Sequence, residues 1–106
     1  MPTIQLVELT KNQVRSLSGQ ERGFTARNHF NLDDLDKVEG PIVVAVPDDV
    51  DSISPSFLRG MFSISILALG ATAFFSHYVV DAKPQILEQV SRAVHSTMLD
   101  NDDLFA

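Results

Sequence analysis

Three aspartates and three serines crowd into residues 48–56, among them Asp48, Asp49, Asp51, Ser54 and Ser56. Carboxylates this close can offer oxygen ligands to a hard cation. The spacing lacks the alternating ligands and the turn glycine of a calcium loop, so a solvated acidic turn is expected instead. His29, His77 and His95 fall in three separate stretches and form no spaced pair, and there is no cysteine. No metal site is therefore expected. Ser54 stands immediately before Pro55 and a long apolar run. A serine there caps a helix by accepting a backbone N–H, and proline suits the first helical position, where no N–H partner is needed. Phosphate is favoured at such a terminus, but three neighbouring carboxylates oppose a bound anion. No serine lies in a nucleophile elbow and no glycine loop could cradle a phosphate. The residues thus suggest no reaction and no cofactor.

The elements that would position this turn follow from periodicity. Residues 3–9 alternate apolar and polar, which predicts a strand with one wet face. Residues 11–20 are polar with Gly19 and read as a loop. From Glu21 to Phe30 a helix is expected, with Gly23, Ala26 and Phe30 on one close-packing face and Arg22 and Arg27 off it. A short helical turn, 32–38, stops at Gly40-Pro41. Ile42 to Val46 carries no charge and predicts a central strand covered on both faces, ended by Pro47. The acidic turn follows, then a helix from Pro55 to Leu69 closed by Gly70. Its apolar residues leave little polar face beyond Arg59, Ser63 and Ser65. The aromatic and β-branched stretch 71–80 reads as another strand. Pro84 opens a last amphipathic helix to Met98. This β-α-β-α-β-α order predicts a small single-domain α/β fold over residues 1–98, with a central, partly parallel sheet and helices packed against it. Residues 99–106 read as an acidic C-terminal tail.

Composition narrows the function classes. The chain of 106 residues is 44% hydrophobic with a net charge of −6, enough for one packed core and unfavourable for a nucleic-acid partner. The charge is uneven. Residues 1–29 hold four basic groups against two acidic, and residues 30–106 four against twelve. Such a body suits a basic partner surface. The most apolar stretch, 61–75, is shorter than the roughly 20 residues a spanning helix needs, so no membrane partner is expected. The absence of both a secretory pattern and cysteine fits a cytoplasmic protein.

One resemblance adds to this. Arg22 with Ala26, then Ile42-Val43-Val44-Ala45-Val46, then Val50, Ile53, Ser56 and Phe57 are similar to the STAS-like family of unknown function, a relative of the STAS anti-sigma factor antagonists. The similar segment, 22–94, covers about two thirds of the chain. The resemblance implies a bacterial or phage regulatory module whose strand-to-helix turn faces a protein partner of the kinase-like or anti-sigma type. In antagonists a serine at that turn is phosphorylated. Here Pro55 stands at that position, Ser56 matches the next serine, Ser54 replaces the preceding acid, and Val46 and Gly60 stand where acids are expected.

The expectation is therefore a non-enzymatic protein-interaction module. Its partner would meet Asp48, Asp49, Asp51, Ser54, Ser56, Phe57, Arg59, Met61 and Phe62, and a homodimer is compatible with the same surface. The alternative is a small-ligand-binding or enzymatic domain using the turn 48–56, which would require a pocket lined by Asp48, Asp51, Ser54 and a histidine.

Overall fold

A computed structural model describes residues 2–103. The elements run β1 (Thr3–Gln5), α1 (Val7–Thr10), β2 (Ser16–Leu17), α2 (Gln20–His29), α3 (Leu32–Leu35), β3 (Ile42–Ala45), β4 (Ser52–Ile53), α4 (Pro55–Leu69), α5 (Ala71–His77), β5 (Tyr78–Asp81) and α6 (Pro84–Asp103). The α/β class is as expected. One sheet holds β1, β3 and β5 in that order, all parallel, with Ile4 opposite Val44 and Val44 opposite Val80. The apolar run 42–46 is its central strand.

The strand order moves steadily across the sheet. Parallel crossovers are almost invariably right-handed, so two in the same direction put both connections on one face. Burial follows: Ile4, Ile42, Val44 and Tyr78 are in the core. On the opposite face Thr3, Gln5, Val79 and Asp81 are exposed and Val43 and Ala45 only half-buried. The expected double cover of β3 is thus corrected. Its apolar run is long because β3 is flanked by strands on both sides, not because helices lie on both faces.

The helical layer is built on α4, which packs between α2 and α6. Gly23 of α2 and Gly60 of α4 meet at the crossing. A Cβ on Gly23 would run into the Phe57 carbonyl, and one on Gly60 into the Gln20 carbonyl. The two missing side chains let the backbones come together, the condition for dense packing at a crossing.

Further boundaries differ from expectation, and the helical turn 32–38 already stops at Leu35. The strand 3–9 stops at Gln5, and Leu6 and Thr10, four residues apart and both buried, belong to a helical turn. The loop 11–20 contains β2, which pairs in parallel with β4. The strand 71–80 is mostly helix. Gly70, at φ 84°, turns the chain by 113° from α4 into α5, and the Phe74 N–H bonds the Gly70 carbonyl at 2.8 Å. Phe74 and Tyr78, spaced as on one helical face, then close on Phe62 with ring centroids 5.3 and 5.7 Å away. Packing of this aromatic trio outweighs the β propensity of the stretch. The last helix also continues past Met98 to Asp103, while residues 104–106 of the expected tail lie outside the described residues. No single helix among the described residues is long and apolar enough to cross a membrane.

Candidate partner-facing site

The acidic turn is anchored at both ends by buried valines. Val46 donates to the Asp81 carbonyl at 3.0 Å, and Val50, fully buried, closes the turn by donating to the Pro47 carbonyl at 3.0 Å. The chain then runs alongside residues 15–17. The Asp51 N–H bonds the Arg15 carbonyl at 2.7 Å and the Ser54 N–H the Leu17 carbonyl at 2.8 Å. From the other side Gln89 of α6 accepts the Ile53 N–H at 2.8 Å. The turn is therefore held by three separate segments.

Its carboxylates have different roles. Asp51 accepts a hydrogen bond from Lys83 at 3.0 Å and lies 3.9 Å from Arg15. The Lys83 bond and charge hold its pKa below the ordinary value, with a smaller pull from Arg15. Asp48 is exposed. Asp49 is half-buried, and its Oδ1 is shielded from solvent and accepts no hydrogen bond from a described residue. Ser54 caps α4: its Oγ accepts the Phe57 N–H at 3.1 Å and lies 3.1 Å from the exposed Ser56 Oγ. Arg59, half-buried, donates to Ser96 of α6 at 2.5 Å.

Phe57, Met61 and Phe62 must be taken off the expected docking surface. They are 1%, 1% and 3% exposed. Because α4 lies between α2 and α6 above the sheet, side chains on several of its sides enter the core. The apolar residues that α4 does leave in solvent are Ile64 and Leu67. Of the expected site, the structure brings Asp48, Asp49, Asp51, Ser54 and Ser56 together on one turn and leaves Arg59 beside it, tied to α6.

The pocket that a ligand-binding reading requires at the turn is not formed by the grooves described. A groove of about 390 Å³, lined by Leu9, Val14, Leu17 and Phe57 with the exposed Ser16, Arg22 and Thr25 at its mouth, shares only Phe57 with the expected site. Among the described residues no three His, Asp or Glu side chains converge as a metal site would need. His77 donates from Nε2 to the Leu35 carbonyl at 2.7 Å, and His29 lies 3.3 Å from Glu8.

The most heavily bonded polar cluster was not anticipated from sequence. Arg27, 3% exposed, donates to the Met61 carbonyl at 3.0 Å, to Ser65 at 2.8 Å, to Asp33 at 2.7 Å and to Asp36 at 2.7 Å. Ser65 and Tyr78 both donate to the other Asp36 oxygen, at 2.6 and 2.5 Å. Burial alone would raise the Asp36 pKa. Hydrogen bonds from Ser65, Tyr78 and Arg27 and the guanidinium charge outweigh it, so Asp36 titrates below the ordinary value. Burial, reinforced by the Asp36 carboxylate, pushes the Tyr78 phenol well above its ordinary value. Burial works against the Arg27 charge too, and its two aspartates more than compensate. The cluster ties α2, the segment after α3, α4 and β5 together. Among the described residues it leaves no buried side-chain nitrogen or oxygen of its own without a partner, which is what a buried charge needs to be tolerated. The available signal was Arg27 next to Ala26 on a face already marked by Gly23.

No protein-family model, no curated protein and no solved structure matches the chain.

Proposed function

We propose that this protein is a non-enzymatic interaction module of a regulatory system, and that a protein partner covers the open face of its sheet and the acidic turn at the sheet's C-terminal end. The observation that carries the reading is the one-sided sheet. Parallel sheets are almost always covered on both faces, yet here Thr3, Gln5, Val79 and Asp81 are exposed opposite the helical layer. Asp81 ends β5 and Asp48 follows β3, so the C-terminal rim of that face is acidic. Ligands of open α/β sheets commonly sit at that end. Carboxylates around a partly apolar centre favour a partner with a basic rim and an apolar middle, and steer it at long range.

The similarity of residues 22–94 to STAS-like domains supports the same reading and adds a bacterial or phage regulatory setting in the cytoplasm. Phosphorylation is a weaker part of that analogy. Pro55 has no hydroxyl, and Ser54 is engaged as the cap of α4. Ser56 is the remaining exposed hydroxyl at the turn.

The test is capture of the partner from the cells that make the protein, followed by comparison of lysine-substituted and parent chains. Val79→Lys and Asp81→Lys should lose the captured partner, and raised salt should weaken the parent complex. If both variants hold the partner as the parent does, the open face is not the interface.

A further inference from the structure

We infer that the groove between residues 9–17 and α2 binds a small carboxylate with an aliphatic tail, free in solution. This site is separate from the partner surface proposed above and stands or falls without it. Its volume of about 390 Å³ falls in the ordinary range for small-molecule sites, roughly 300–1,000 Å³. Its floor is apolar: Leu17 and Phe57 are buried, and Leu9 and Val14 carry the wall outward. Three polar side chains stand at its exposed mouth, Ser16, Arg22 and Thr25, and the Thr25 hydroxyl is already engaged, donating to the Glu21 carbonyl at 3.0 Å. Arg22 has no hydrogen bond or ion pair with any described residue. It stands in the mildly basic N-terminal part of a chain whose remainder is strongly acidic. An apolar cleft with one uncommitted cation at its mouth selects an apolar body with one negative end. A guanidinium binds a carboxylate through two parallel N–H donors, which fixes the orientation of such a ligand.

The competing occupants are disfavoured by charge. A neutral tail of the same length would fill the floor and leave Arg22 unused. An ammonium would be repelled. An anionic membrane surface would meet a chain of net charge −6.

The experiment is a titration of the full chain, followed by amide chemical shifts, with octanoate, octanol and octylammonium as probes. Octanoate should give saturable shifts at residues 14–17 and 22–25. Octanol should bind the same residues about five- to tenfold more weakly, the worth of one charge-assisted contact at a wet site. Octylammonium should give no saturable shift. Arg22→Gln should fold as the parent does and reduce octanoate to the octanol affinity, and Val14→Asp should weaken both probes. The proposal is overturned if octanoate moves other residues only, if octanol binds as tightly, or if Arg22→Gln keeps the parent affinity. It is equally overturned if anionic lipid vesicles retain the chain while octanoate leaves it unshifted.

Discussion

Gly23 and Gly60 face each other across the α2–α4 crossing, each filling the space that the other's Cβ would need. The obstructing atoms are backbone carbonyls and Cα atoms, which cannot swing aside as a side-chain tip can. Gly23→Ala or Gly60→Ala should therefore force the helices apart and cost about 1–3 kcal/mol, the usual range for overpacking a dense core. Urea denaturation of each variant measures this. For the same reason no larger side chain could fit at Gly60 beneath α2.

A second prediction concerns Arg27. It is buried and shared between Asp33 and Asp36. Removing one partner of a buried pair leaves the other uncompensated, typically at a cost of about 3–5 kcal/mol. Arg27→Ala should show a loss toward the lower end, because Ser65 and Tyr78 still donate to Asp36. Ser65→Ala removes one acceptor for Arg27 and one donor to Asp36, and should cost about 1–3 kcal/mol. Equilibrium unfolding checks both, and the double variant should cost less than the two single losses combined, because they share one network.

The same cluster sets a pH dependence. The pKa of Asp36 is lowered in the folded chain from its ordinary value of 3.8. Its contribution to stability is therefore present above that value and is lost as pH falls below it toward the folded pKa. Tyr78 is shifted upward from 10.0, so its contribution is full below that pH and is lost as the medium becomes more alkaline. Melting temperature against pH should fall at both limits. Asp36→Asn should flatten the acid limb, and Tyr78→Phe the alkaline one.

Much of this architecture was legible because local chemistry and tertiary packing agreed. Ser54-Pro55 announced a capped helix start, Gly70 its end, and an uncharged run its central strand; each element sits where those signals place it. The failures lie where packing decided against local preference. Residues 71–77 carry strand-like aromatics but are helical because Phe74 must reach Phe62. Phe57, Met61 and Phe62 looked like surplus apolar surface only while α4 was imagined with one buried face. Arg27 was placed off the packing face of its helix, and only the positions of Asp33 within α3 and Asp36 at its end make its burial tolerable. The open sheet face was hidden for a related reason. An apolar run shows that a strand is central, but not how many of its faces are covered.

Ser54 and Ser56 offer a test that separates architecture from surface. Ser54 accepts the Phe57 N–H, so Ser54→Ala should cost about 1 kcal/mol, the usual worth of a helix cap. Ser56 is exposed and among the described residues bonds only to Ser54, so Ser56→Ala should stay within about 0.5 kcal/mol of the parent. Thermal denaturation distinguishes them, and equal losses would mean that the cap is shared.

The last prediction concerns the acidic turn itself. Asp48 is exposed and forms no ion pair with a described residue, whereas Asp51 is engaged by Lys83 and Arg15. Reversal of Asp48 should therefore leave stability within about 0.5 kcal/mol of the parent, while Asp51→Lys should loosen the contact between the turn and Lys83, just ahead of α6, and lower the melting temperature slightly. For partner binding the order should invert. Asp48→Lys presents a wrong-signed charge at the mouth of the sheet's C-terminal end, and should slow association more than it speeds dissociation, because rim charges act mainly on encounter. Association rates measured at two salt concentrations decide the matter. If Asp48→Lys leaves the association rate and its salt dependence unchanged, the turn does not steer the partner, and the exposed face of the sheet must act without it.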